Sequence, residues 1–150
     1  MEIRGWRMED LPQVTALLAE LDDALGETQE VGLADVERQF HLMESEPATY
    51  SNFVYEGEDG AVRGFVSLLF YRSVYHREGT AQINELVVAR DCRGRGIGEA
   101  LLDHAIALAR ARNMDEIEVG VMKDNEGAIR FYKRHGLDEE YFLLGMDFAD

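Results

Sequence analysis

The sequence predicts a mixed α/β domain built around one sheet. Three observations carry that prediction. Apolar residues switch repeatedly along the chain between a two-residue and a helical spacing. The resulting order is strand, helix, helix, three strands, helix, strand, helix, strand, with no repeat, low-complexity segment or proline-rich linker to divide it. The length of 150 residues, 46% of them hydrophobic, suffices for one buried core. Residues 1–150 are therefore read as a single domain.

Each element has a local reason. "EIRGW" is a short candidate strand. Asp10, with Gln13 three residues later, reads as a capping box, and Pro12 fits the first turn of a helix. Leu11, Val14, Leu17, Leu18 and Leu21 follow with helical spacing. "DDALGETQEVG" is a polar break, and residues 34–44 read as a second, shorter helix. "FVYEGEDGAVRGFVSLLFY" reads as two strands around an Asp59-Gly60 turn. "TAQINELVV" is a further strand. Residues 96–112 form a long amphipathic helix that buries Leu101, Leu102, Ala105, Leu108 and Ala109. "EIEVGVM" is a strand, residues 125–135 are a helix that Gly136 ends, and "YFLLGMDF" is a last strand.

Composition excludes several functions. The formal net charge is −15, from 30 acidic against 15 basic residues, so a phosphate backbone would be repelled and nucleic acid is not expected as a partner. Such a field attracts cations and also keeps a protein soluble. No apolar run is long enough to cross a membrane, and the charged start "MEIRGWRMED" lacks a signal-peptide core. A cytoplasmic protein without membrane partners is the expectation. The one cysteine, Cys92, makes neither an internal disulfide nor a cysteine zinc site. It reads as a half-exposed thiol. His41, His76, His104 and His135 are scattered without ligand spacing and read as surface or helix-end residues, so no metal is expected.

Against this acidity, residues 90–98 read "RDCRGRGIG", with three arginines and three glycines in nine positions. They stand between a strand and a helix. A glycine-rich turn at a helix start presents free N–H groups and the positive end of the dipole. Glycine lets backbone approach a bulky anion, and Arg90, Arg93 and Arg95 can pair with phosphate oxygens. The island reads as a pyrophosphate seat. It is not a P-loop, since G-x-x-x-x-G-K-[ST] is absent, and Glu99 breaks a dinucleotide fingerprint begun by Gly94 and Gly96.

Arg93-Gly94-Arg95-Gly96-Ile97-Gly98, after "ELVV" and before "ALL", resembles the R/Q-x-x-G-x-G/A motif of the GCN5-related N-acetyltransferase (GNAT) superfamily. Downstream, "NEGAIRFYKRHGL" resembles that superfamily's second motif, N-x-x-A-x-x-F-Y-x-x-x-G-F/L. The resemblance implies a mixed, mostly antiparallel sheet with splayed central strands flanked by helices, and an acetyl-coenzyme A (acetyl-CoA) lying in the splay. It implies that the pantetheine arm pairs with backbone of Leu86, Val87 and Val88. The pyrophosphate would sit on N–H groups of residues 93–98. Asn125 would touch the pantetheine arm and Tyr132 would point at the sulfur. It also implies direct transfer to an amine, with no covalent enzyme intermediate.

That chemistry needs a base, because most amines are protonated at neutral pH, and a donor for the leaving thiolate. Tyr132 is the candidate donor; its other reading is a core residue. The Val88 N–H could meet the oxyanion. Glu85 is the first candidate base, with a structural carboxylate as its alternative. Many relatives place an acid one residue earlier, where this chain has Asn84. Neighbouring strand residues point to opposite faces, so Asn84 and Glu85 share a face only at a bulge. If Glu85 faces away, a water chain from Asn84 or Tyr71 would serve.

The resemblance implies an acceptor site built from the first two helices, their loop and the third and fourth strands. Asp22, Asp23, Glu27 and Glu30 lie there, which suits a small cationic amine such as a polyamine or aminoglycoside; a plain solvated loop is the other reading. The alternatives are a protein N-terminal or lysine acetyltransferase and a non-enzymatic acyl-CoA-binding module. The apolar last strand suggests a homodimer through a sheet edge, or burial in the chain's own sheet with Leu144 and Met146 inward.

Overall fold

The computed structural model describes residues 2–26 and 31–148. Glu27 and Glu30, read above as part of the acidic loop, lie outside the described residues. Five strands form one sheet in the order β1 (Glu2–Gly5), β2 (Tyr50–Glu56), β3 (Val62–Tyr71), β4 (Thr80–Val88) and β5 (Glu116–Val119). The first three pairings are antiparallel, and β4–β5 is parallel. The helices are α1 (Leu11–Leu25), α2 (Leu33–Glu44), α3 (Ile97–Ala111) and α4 (Glu126–Arg134).

The sheet separates the helices into two layers. Trp6 stacks on Phe65 of β3 and packs against Phe40 of α2, with ring centroids 5.5 and 5.1 Å apart. Gly64, the neighbouring residue, faces the other way, onto α3. Successive strand residues point to opposite faces. Phe65 and Ser67 thus lie under α1 and α2, while Gly64, Val66 and Leu68 lie under α3.

The Asp59-Gly60 turn is present, with Gly60 at φ +82°. Gly136 follows α4 at φ +100°. Pro12 sits in the first turn of α1. The Asp10–Gln13 capping box does not form. Asp10 is claimed by Arg4, which donates two hydrogen bonds to it at 2.8 and 2.9 Å, and by the Arg7 N–H at 2.8 Å. Gln13 instead accepts from the Val62 N–H at 2.9 Å, tying α1 to the start of β3. Cys92 is buried at 4% exposure rather than half-exposed. His104 is half-buried, edge-on to Phe53, and His76 pairs with Glu116 at 2.7 Å.

The last strand is the largest correction. Residues 141–148 form no strand, and Leu144 and Met146, expected to point inward, are 93% and 80% exposed. β5 is also shorter than "EIEVGVM", ending at Val119.

Gly64 holds α3 against the sheet. A Cβ there would stand 2.8 Å from Leu101 Cδ1, 3.1 Å from Ile97 Cγ2 and 3.2 Å from the Val87 carbonyl oxygen. Leu101 is fully buried and has little room to retreat. Gly64→Ala is expected to destabilise the fold by about 1–3 kcal/mol through overpacking. A urea midpoint lowered without a change in slope would show it.

Candidate active site

The site begins where two strands part. β4 pairs with β3 along its length, to Val88, but pairs with β5 only from Thr80 to Ile83. From Asn84 onward, β4 has a neighbour on one side only. The Ala89 N–H donates to the Arg63 carbonyl at 2.8 Å, toward β3. Backbone groups alternate in direction along an antiparallel ladder. Val87 therefore turns its N–H and C=O to β3, while Leu86 and Val88 turn theirs into the gap. Of the three residues expected to meet the pantetheine arm, Val87 is committed elsewhere, and its side chain is 3% exposed in the core.

The bulge that would reconcile Asn84 with Glu85 is present. Leu68 pairs with Ile83 and Ser67 with Glu85, so Asn84 is the extra residue. Glu85 then sits opposite Ser67, on the face under α1 and α2. Asn84 is exposed. Burial raises the Glu85 carboxyl above the usual glutamate range.

After β4 the chain makes a short 3-10 turn, Arg90–Cys92, and reaches α3. The Arg90 N–H donates to Glu20 of α1 at 2.9 Å, which anchors the loop's start. Gly94 and Gly96 adopt φ of +81° and +79°, a conformation that favours glycine, and a Cβ on either would meet no atom within 4 Å. Gly96 is the residue before α3, so the N–H groups of the first helical turn have no intrahelical partner. A cleft of about 290 Å³ opens there, lined by Val88, Arg93, Gly94, Gly96, Ile97 and Gly98. Arg95 lies apart from it. It lines a second hollow of about 370 Å³ with Glu2, Ile3 and Tyr55.

Helix α4 closes the cleft. Phe131, Arg134 and His135 line it; none was assigned to the site from sequence, and His135 was read as a surface or helix-end residue. "KRHG" following "FY" was the available signal: basic residues on the last turn of a helix that packs against the glycine loop. A Cβ added at Gly98 would lie 3.6 Å from Phe131 and from Val88, in ordinary contact with both. Asn125 is the residue before α4, and its Oδ1 accepts from the Ala128 N–H at 3.2 Å. That cap leaves its amide nitrogen free to donate elsewhere. Tyr132 is 8% exposed and burial pushes its phenol up to about 12.

On the opposite face, β5 contributes two carboxylates that sequence reading passed over. The Tyr71 hydroxyl donates to Glu118, and Thr80 Oγ1 donates to Glu116 at 3.1 Å. They share the face of Glu85. Asp22 and Asp23 sit near the end of α1, which packs over β3 and β4.

The acetyltransferase (GNAT) family model matches residues 12–137, and the chain belongs to that family. Acetyl-CoA is the co-substrate of the family. The chain is 30% identical over 138 residues to an uncharacterized N-acetyltransferase of Archaeoglobus fulgidus, covering 91% of this chain and 92% of that one. It is 34% identical over 106 residues to the streptothricin acetyltransferase of Streptomyces lavendulae, covering 71% of this chain and 52% of the enzyme. The chain thus spans about half that enzyme's length. The fold matches glucosamine-6-phosphate N-acetyltransferase from Arabidopsis thaliana with a TM-score of 0.82 at 17% identity, over 99% of this chain and 98% of that one. Among the described residues no group of His, Cys, Asp and Glu could hold a metal ion, and no helix is long and apolar enough to cross a membrane.

The raised Glu85 carboxyl predicts a pH signature. Its folded-state pKa lies above its unfolded value, so the folded state holds the proton longer. Stability then falls as pH rises through that window, and the penalty persists at neutral pH. Glu85→Gln is expected to raise the melting temperature at pH 7, with the gain vanishing below about pH 4, where both states are protonated. Thermal melts over a pH series would read both limits.

Proposed function

We propose that this chain moves an acetyl group from acetyl-CoA to a primary amine by direct transfer. The observation that carries the reading is the meeting of two features in one place. β4 ends with unpaired backbone at Leu86 and Val88, and the glycine loop and N-terminus of α3 follow at once. The first suits an extended amide-bearing arm; the second suits its pyrophosphate. Arg93 and Arg134 stand in the cleft as candidate partners for phosphate oxygens.

In this reading Glu85 takes a proton from the acceptor's ammonium, and a raised carboxyl pKa suits that task. The free amine attacks the thioester carbon, the Val88 N–H supports the oxyanion, and the C–S bond breaks as the nitrogen loses its second proton, which reaches the departing sulfur by way of solvent. Tyr132 serves the departing sulfur. With a pKa of about 12 against about 8.5 for a thiol, its phenol stays protonated. It acts as a hydrogen-bond donor to the developing thiolate more than as a source of a fully transferred proton. The acceptor is a small cationic amine. Glu85, Glu116 and Glu118 on one sheet face, with Asp22 and Asp23 above, favour a cation there.

The test is release of free thiol from acetyl-CoA with a panel of monoamines, diamines and an aminoglycoside. Turnover with a diamine, and a KM for it that rises with salt, is the expected result. Release with peptides alone would favour the protein-acetylating alternative, and none with any amine the binding module. Tyr132→Phe is expected to lower kcat by about 10- to 100-fold with little change in coenzyme affinity.

A homodimer is part of the same proposal. Phe142, Leu143 and Leu144 are each more than 80% exposed, and β5 is paired along one edge only. A second copy would cover such a segment reciprocally. Light scattering should give about 34 kDa, twice the chain's 17.0 kDa. Deleting residues 141–150 should return the monomer mass.

A further inference from the structure

A row of polar side chains crosses the sheet beneath α1 and α2. The register places Asn52 of β2 opposite Ser67 of β3, and Ser67 opposite Glu85 of β4. Ser67 is 1% exposed and Asn52 is 7% exposed. Ser67 Oγ and Asn52 Oδ1 have no hydrogen-bond partner among the described residues, although Asn52 Nδ2 reaches Met43 Sδ at 3.5 Å. The half-buried Glu85 carboxyl has no protein partner either. The adjoining row on the same face is Val54, Phe65 and Val87, all buried and apolar.

Two buried polar groups without partners, beside a half-buried carboxyl, need an account. A buried polar group without a partner is costly. Side chains opposite each other across strands have Cβ atoms about 4.5–5.5 Å apart, a distance one bridging water can span. Buried waters make about three hydrogen bonds to groups otherwise unsatisfied. The donor count closes. Ser67 donates its hydroxyl proton to such a water, and the water donates one proton to Asn52 Oδ1 and one to Glu85. Alanine at position 67 would need no water at all.

We propose that Ser67 is a positioning residue for Glu85, acting with Asn52 through one buried water that holds the carboxylate beside the splay of β4. This rests on the reading of Glu85 as the base. The row favours the charged carboxylate by hydrogen bonding and opposes the burial that disfavours it. Ser67 and Asn52 lie too deep to touch substrate, so their effect passes through Glu85. The other titratable groups toward this side of the sheet include Tyr71, Glu116 and Glu118 on β3 and β5, Arg4 with Asp10 and Glu56 near β1, Glu20, Asp22 and Asp23 on α1, and Glu44 on α2; the substitutions below leave them in place.

The test is the titration of the Glu85 side-chain carboxyl by carbon-detected NMR in the free protein, with no acceptor needed. Ser67→Ala is expected to raise its pKa by about half a unit or more, and Ser67→Thr, which keeps the hydroxyl, to bring it back. Asn52→Ala should shift it the same way and serves if Ser67→Ala does not fold. A Glu85 titration unmoved in the folded variants overturns the proposal. A second arm compares pH–rate profiles with acetyl-CoA and a diamine. The acid limb should move with the NMR value at unchanged KM for acetyl-CoA. A titration that moves while the rate profile stays put would keep the polar row and remove Glu85 from the role of base.

Discussion

The structure depends on how β4 spends its two edges. One edge is paired to β3 as far as Val88; the other loses β5 after Ile83. A buried backbone N–H or C=O without a partner is costly, so strands seldom part in the middle of a sheet. Here the parting happens where β4 also carries its bulge, at Asn84. A bulge bends and twists its strand locally, which helps carry the end of β4 away from β5. The same segment is clamped from one face by α3, through the close approach at Gly64. The helix whose first turn borders the cleft is thus fixed to the strand whose edge is open. Loop and gap keep their relation because packing leaves neither free to shift.

The two layers give the sheet opposite electrostatic characters near β4. Toward α3 and α4 stand Arg93, Arg134 and the positive end of a helix. Toward α1 and α2 stand Glu85, Glu116 and Glu118. A chain with net charge −15 could still hold an anion, provided the binding groups are backbone N–H donors in a glycine turn. Side-chain charge adds to that seat; it does not have to create it. On the proposed reading, such a turn would let few basic residues suffice.

Much of this was legible from residues alone, and the failures have specific causes. The glycine loop and α3 announced themselves because local composition decides them: φ near +80° at Gly94 and Gly96 calls for glycine whatever surrounds it. Asp10 misled because a capping box presumes an uncommitted carboxylate, and Arg4 had already engaged this one across six residues of sequence. Tyr141–Phe148 misled because apolar residues predict burial only when a partner surface exists, and β5 does not pair with them. The choice between Asn84 and Glu85 turned on a bulge, which depends on the register with β3 and is invisible within β4 itself. The row of Asn52, Ser67 and Glu85 comes from three strands whose residues are consecutive in space only.

That last case shows where stability and chemistry pull apart. An apolar residue at position 67 would join Phe65 and Val87 in a dry layer, and Gln at position 85 would avoid burying a carboxyl that resists ionisation. The chain has neither. Arg4 and Asp10, by contrast, are a buried pair in which the carboxylate is well partnered: two hydrogen bonds from Arg4 and a third from backbone, although Arg4 Nε has no partner among the described residues. Asp10 is held below the usual carboxylate range, since these bonds outweigh the burial that opposes them. The first acid is buried, hydrogen-bonded and ionised; the second is half-buried, without a protein partner, and reluctant to ionise. The first is what a scaffold needs at the junction of β1 and α1. The second suits the proton transfer proposed for Glu85, which stands at the parting of β4 from β5.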